Sequence, residues 1–398
     1  MLTWRTSCSL VAAAAAATGC ASRVTPIGAG FIYEPDKREQ RLWRTTREQS
    51  AEIQNAGALY DDPRLHAYVQ SVLNRLLGDY KNAYSPLEAR VFILDSESVN
   101  AFALPHGDIY VHKGILGRIR NEAQLAMLLG HELTHNTHRH LYQEYEHAYA
   151  STGTYSYIAV LGALGGGNVQ QAIEGLSRLV TLAAISGYSR DKEEEADEVG
   201  LTLAAQAGYD PREGAKMFQR MLDASDRKDR GWSFFYASHP KMKKRVKSCN
   251  KLIERLPPEL LSNAKELGED RYLDAAIGLI HDEVERHIIQ GKYELAEETL
   301  AFLSKARPSD PDTHALRGEL FRARGDDGDG ERSRKAYTEA LELDGQHAIA
   351  HRGLGLLLVR LGDKDEAVVH LRKYISVAPD AADVTYIRQY IDRLTRGD

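Results

Sequence analysis

The chain has 398 residues, 43% hydrophobic and 27% charged, with a formal net charge of −6 at pH 7. That balance excludes a collagen-like, low-complexity or disordered chain, and the length suggests two or three domains. A mildly acidic chain carries no electrostatic footprint for nucleic acid, so no nucleic-acid partner is expected.

At the N-terminus, Arg5 precedes a short apolar stretch, Leu10-Val11 and the run Ala12 to Ala17, which ends in Ala17-Thr18-Gly19-Cys20. Residues 1–19 read as a signal peptide. The stretch is too short and too alanine-rich for a membrane span. Its small-small-Cys ending resembles a bacterial lipobox, with Ala17 where Leu is usual. The resemblance implies that Cys20 becomes a lipidated first residue, anchoring the chain to a membrane without spanning it. Ala21, rather than Asp, after the cysteine resembles the outer-membrane sorting pattern of enterobacteria, which implies the periplasmic side of the outer membrane. With Cys8 removed and Cys20 lipidated, only Cys249 remains, so no internal disulfide is expected. Cys249 reads as a half-buried helix residue. Residues 20–55 read as the lipidated N-terminus and a polar linker.

A helix is expected over Pro63 to Leu77. Three short strands follow, at 90–94, 101–104 and 108–111, rich in β-formers and bounded by turn residues such as Pro105 and Gly107. Asn121 is a candidate N-cap for a helix carrying Leu125, Met127, Leu128 and Leu129 into His131-Glu132-Leu133-Thr134-His135. Residues four apart share one helix face, so both imidazoles can reach one metal ion. Glu132 can take a proton from a water at that metal and pass it to a leaving amine. His138 and His140 read as structural or surface groups.

A catalytic zinc takes three protein ligands and keeps one position open. The third ligand is expected from a downstream helix. Glu193 and Asp197 lie four apart in the acidic run after Ser189. Glu193 would bind the metal, and Asp197 would orient a ligand histidine or assist proton transfer. Between the two halves, residues 151–188 are rich in Gly, Ala, Ser and Tyr. They suggest a lid over the cleft, a surface touching lipid or a partner, or ordinary core packing.

From residue 277 a repeat emerges. Gly291, Ala296 and Pro308 answer to Gly362, Ala367 and Pro379, 71 residues on, or two periods of 34 with three residues inserted near Asp326 to Gly330. Gly318, Gly325, Tyr337 and Ala340 mark a middle copy. Small residues let paired helices approach, and Pro ends the second helix of each pair. The period resembles the tetratricopeptide repeat, with about three copies and a capping helix near Val384 to Leu394.

The His-Glu-Leu-Thr-His motif, the later Ser-Arg, Glu and Ala-Asp, and the stretch Asn100 to Val111 together resemble the HtpX/BepA/Oma-type zinc metalloproteases over residues 56–255. A lipoprotein-like leader before and repeats after resemble the BepA-type periplasmic members. The resemblance implies one Zn2+ per chain, with His131, His135 and Glu193 as ligands, Glu132 as catalytic acid/base and Asp197 as the second carboxylate. It also implies an active-site edge strand at Ala101, Phe102 and Ala103, beside which an unfolded substrate adds itself by main-chain hydrogen bonds. His106 stands where the family often carries Gly. Ser238-His239-Pro240 resembles a family segment after the metal helices, so His239 is a candidate fourth ligand that holds the enzyme inactive. Arg245 is a candidate oxyanion or substrate contact, or a surface arginine of the basic run.

The expected fold is therefore mainly α: an α+β zincin-type metalloprotease domain with a short sheet (56–255), then a helical tetratricopeptide solenoid (277–398). The expected function is an envelope endopeptidase acting on misfolded or unassembled outer-membrane proteins, with the repeats recruiting substrates or assembly machinery. The alternative is a periplasmic chaperone or scaffold working through the repeats, with a latent protease site.

Overall fold

In the computed structural model, the residues described are 24–27, 33–78, 88–152, 188–226 and 242–396. The expected signal peptide, Cys20, residues 153–187 of the insert and His239 lie outside them. In chain order the elements are α1 (Lys37–Asn55), α2 (Pro63–Leu77), β1 (Arg90–Leu94), β2 (Ala101–Ala103), β3 (Asp108–His112), α3 (Lys113–Leu116), α4 (Glu122–Thr137), α5 (His140–Thr152), α6 (Arg190–Gln206), α7 (Arg212–Asp226), α8 (Met242–Arg255) and α9 (Pro258–Asn263). Then come α10 (Glu269–Ile289), α11 (Tyr293–Ala306), α12 (Pro311–Arg324), α13 (Asp329–Leu343), α14 (Ala348–Leu361), α15 (Lys364–Val377) and α16 (Val384–Arg396). The chain is thus mainly helical with one small sheet. No helix among the described residues is long and apolar enough to cross a membrane.

Two compact units divide the chain. The first holds described residues up to Asp95, Val99–His112 and Ala123–Leu267; the second holds Ser96–Ser98, Lys113–Glu122 and the chain from Gly268 on. Both reach further than the expected spans of 56–255 and 277–398. The second unit also takes in two short segments, one between β1 and β2 and one after β3.

In the first unit the strand order is β1-β3-β2, with β1 parallel and β2 antiparallel to β3. The strand expected as an edge is therefore an edge, and its three residues are buried. Phe92, Tyr110 and Phe102 stack in sequence across the sheet, each ring 5.3 Å from the next. Ile53, Ala58, Leu94 and Leu104 close the same core.

Residues 37–55, expected within a linker, form α1 instead. Asp36 caps it, accepting from Arg38 N at 2.7 Å and Glu39 N at 3.0 Å. Leu42, Trp43 and Ile53 give it a narrow buried stripe, and polar side chains do the rest. Thr46 Oγ1 lies 2.8 Å from His106 Nδ1, and Ser50 donates to Asp108 Oδ2 at 2.5 Å while contacting the Tyr110 hydroxyl at 2.7 Å. His106 Nε2 sits 2.9 Å from Asp108 Oδ2. His106 thus ties α1 to the β2–β3 hairpin, while the left-handed turn residue is its neighbour Gly107, at φ 112°.

In the second unit, α10/α11, α12/α13 and α14/α15 are three helix pairs, and α16 follows as a cap. Gly291, Gly325 and Gly362, at φ 69°, 71° and 91°, each follow the first helix of a pair. Pro308 and Pro379 follow the second helices α11 and α15. Two of the three inserted residues fall where expected: α13 starts four residues after Gly325, whereas α11 and α15 start two after their glycines; the third lengthens α13 to 15 residues against 14. A Cβ on Gly318 or Gly353 would come within 2.4 or 2.3 Å of the Tyr337 ring, so both glycines admit that ring between helices.

Candidate metal centre

The metal motif lies on α4, which is buried along its whole length. A helix surrounded on every side needs no polar face, and its apolar residues run all round it. The second helix, α6, crosses α4 at two glycines. A Cβ on Gly130 would lie 2.9 Å from Gly200 O, and one on Gly200 would lie 2.7 Å from His131 N. This backbone contact brings His131 and His135 on α4 against Glu193 and Asp197 on α6.

One ligand atom each of His131, His135 and Glu193 lies within 4.8 Å of the others, and they are the only such group among the described residues. The two Nε2 atoms are 3.0 Å apart, and the Glu193 oxygens lie 3.8 Å from His131 Nε2 and 3.5 Å from His135 Nε2. Tetrahedral bonds of about 2.0–2.1 Å hold neighbouring ligands about 3.3 Å apart, a value these separations bracket. All three residues are at most 4% exposed. Glu132, next to His131, is 1% exposed.

The outward ring nitrogens explain why the inner ones converge. His131 Nδ1 lies 3.0 Å from Asp197 Oδ1, so it donates there and leaves Nε2 as a lone pair. Arg245 holds the same carboxylate, Nε to Oδ2 at 2.9 Å and Nη2 to Oδ1 at 2.6 Å. Burial alone would raise the Asp197 carboxyl, but the Arg245 charge and the His131 hydrogen bond outweigh it and hold it at about 2. Arg245, the candidate oxyanion or substrate contact, is buried, with Asp197 on its fork, the Phe218 ring 4.2 Å beneath it and Nη1 3.6 Å from Glu193 Oε2. It is not a surface residue of the basic run.

His135 has a different partner. Its Nδ1 lies 2.8 Å from His140 Nδ1, and His140 Nε2 lies 3.1 Å from Glu195 Oε2. Glu195 accepts, so His140 carries its proton on Nε2 and accepts at Nδ1 from His135, again freeing a ligand lone pair. His140, expected to be structural or at the surface, is fully buried against a ligand. Burial also pushes its pKa down. The Tyr188 ring stacks on His135, with centroids 4.0 Å apart. Cys249, expected to be half-buried, is fully buried, and burial pushes its thiol pKa up.

Residues 63–253 match peptidase family M48, and residues 319–383 match a tetratricopeptide repeat. The chain carries a peptidase family M48 domain followed by tetratricopeptide repeats. The beta-barrel assembly-enhancing protease of Yersinia pestis is 28% identical over 178 residues, 44% of this chain and 36% of that one. Its counterpart in Escherichia coli K12 is 24% identical over 229 residues, 56% of this chain and 45% of that one. The mitochondrial metalloendopeptidase OMA1 of Schizosaccharomyces pombe is 32% identical over 190 residues, 48% and 52% of the two chains. The chain thus spans about a third to a half of the length of these curated relatives. The M48 domain implies a bound metal, and the His-His-Glu set fits one.

Proposed function

We propose that the chain is a zinc-dependent endopeptidase of the bacterial cell envelope, cutting misfolded or unassembled outer-membrane proteins. The observation that carries this reading is the convergence of His131 Nε2, His135 Nε2 and the Glu193 carboxylate beside Glu132. Two imidazoles and one carboxylate suit zinc, and three ligands leave a position open for chemistry. A bound zinc ion makes a water acidic enough to attack at neutral pH and polarises a carbonyl oxygen. Glu132 takes the proton of the attacking water and returns it to the leaving amine. Asp197 and His140 hold the two ligand rings in the tautomer that binds metal. An extended chain is bound beside Ala101 to Ala103 at the sheet edge, through main-chain hydrogen bonds that demand little of its sequence. The repeats recruit substrates or assembly machinery, and lipid on Cys20 anchors the chain in the periplasm. The relatives' names, and the leader and repeats that flank the domain, support the envelope part of this reading.

The burial of the ligands and of β2 favours a second reading, a chaperone or scaffold with a latent site. Digestion of casein by the chain from Ala21 onward, wild type beside Glu132→Gln with zinc measured in both, separates the two. Cleavage by wild type alone, with zinc in both, is expected. Zinc in both without cleavage supports the latent site, and no zinc in wild type overturns the proposal.

A further inference from the structure

Arg139 is the only non-glycine residue among those described with a left-handed backbone, at φ 58°. It stands between the end of α4 and His140, the first residue of α5. A side chain at such a φ is disfavoured and persists when its surroundings hold it there. Here the surroundings come from the N-terminal segment. Arg139 Nε donates to Glu39 Oε1 at 2.9 Å and Nη2 to Glu39 Oε2 at 2.5 Å, while Nη1 donates to Thr25 O at 3.1 Å. The guanidinium lies between the Tyr33 and Tyr142 rings, 4.5 and 5.0 Å from their centroids. Tyr33 donates its hydroxyl proton to Glu39, and Tyr142 donates to Asp36, the cap of α1, at 2.6 Å. Ile27 N donates to Thr137 O, at the last residue of α4, at 2.7 Å. Glu39 is 1% exposed.

The geometry points to Glu39 as a positioning residue of the metal centre. It fixes Arg139, and so the left-handed turn from which His140 reaches His135 Nδ1. The ordering runs from Glu39 through Arg139 and His140 to a ligand, across 100 residues of sequence. A helix continuing unbroken past Thr137 would carry residue 140 to another face, because positions five apart do not stack. The first turn of α1 is thereby part of the machinery that shapes the metal site. This inference rests on the zinc reading above.

The test is zinc affinity, measured by competition with a chromogenic chelator on the full mature chain. Glu39→Gln keeps the shape of the side chain and removes its charge; circular dichroism checks that the helices remain. Direct partners of a metal ligand change affinity about 10- to 100-fold; Glu39 acts further out, through Arg139 and His140, so a smaller but measurable loss, no more than about 10-fold, is expected. In Glu39→Gln/Arg139→Gly the turn no longer needs a holder, because glycine adopts this φ freely. Affinity should then recover toward wild type. A folded Glu39→Gln protein that binds zinc as tightly as wild type overturns the inference and leaves the zinc reading standing. So does a double variant as weak as the single one, which would place the effect in general loosening. Wild type that binds no zinc overturns both.

Discussion

Arg245 grips both oxygens of Asp197, Nε 2.9 Å from Oδ2 and Nη2 2.6 Å from Oδ1, with both side chains almost fully buried. Removing one member of such a pair leaves the other charge without compensation, at a cost of about 3–5 kcal/mol. Arg245→Met should therefore lower stability by about that much in urea unfolding of the zinc-free chain. Asp197→Asn/Arg245→Met, which removes both charges, should lose less than Arg245→Met alone. Equal losses in single and double variants would show that packing on Phe218, and not charge, sets the cost.

On its outward side, the second ligand histidine meets a neutral ring rather than a carboxylate. His140 stands between His135 and Glu195, so the proton on His135 Nδ1 is specified two residues away from its acidic acceptor. His140→Ala should weaken zinc binding about 10- to 100-fold. Glu195→Gln should weaken it less, because an amide oxygen still accepts from His140 Nε2. Chelator competition reads both, and a larger loss for Glu195→Gln than for His140→Ala would contradict the order of the relay.

Much of the centre was legible in the sequence, because an i, i+4 pair of histidines and an i, i+4 pair of carboxylates are local patterns. The repeats were legible for the same reason: Gly291, Gly325 and Gly362 mark a period that survives one insertion. His140 was not legible. It lies five residues after His135, off the helical face, and reaches that ring because Arg139 breaks the helix between them. The helix α1 was hidden by its composition. Its buried face mixes Leu42, Trp43 and Ile53 with Thr46 and Ser50, whose partners His106 and Asp108 lie 60 and 58 residues away. Arg245 carried a misleading signal, since the basic run around it is exposed at Lys243 and Lys244 while Arg245 itself turns inward.

Acid should loosen the junction between the first and middle helix pairs through Asp310. This residue caps α12, accepting from Thr313 N at 3.0 Å, and lies 3.0 Å from His281 Nε2. Burial alone would raise its carboxyl, but the His281 and Thr313 hydrogen bonds and the His281 charge outweigh it, taking it from 3.8 to about 2. A carboxyl depressed in the folded state stabilises fully above its unfolded value, and that contribution fades as pH falls through the folded one. Asp310→Asn keeps the capping oxygen and removes the charge. The Tm of wild type should exceed that of the variant at pH 6, and the gap should narrow between about pH 4 and pH 2. A gap that stays constant across that window would mean the charge contributes nothing.

The crossing of α4 and α6 at Gly130 and Gly200 leaves no room for a side chain. A Cβ on Gly200 would lie 2.7 Å from His131 N and 2.8 Å from Gly130 C, and both are backbone atoms that cannot swing aside. Gly200→Ala must therefore push the two helices apart. Overpacking of this kind costs about 1–3 kcal/mol. The displacement also acts on geometry, since Glu193 and Asp197 ride on α6 while the histidines ride on α4. Zinc affinity should fall with stability in Gly200→Ala, because the carboxylate is carried away from the two Nε2 atoms. Gly278→Ala, on α10 with open space around it, is the control: it should leave zinc affinity unchanged and raise stability by up to about 1 kcal/mol, since alanine favours a helix over glycine. Loss of stability in Gly200→Ala with zinc affinity unchanged would mean that the metal site tolerates a wider crossing, and the glycine pair would then serve packing alone.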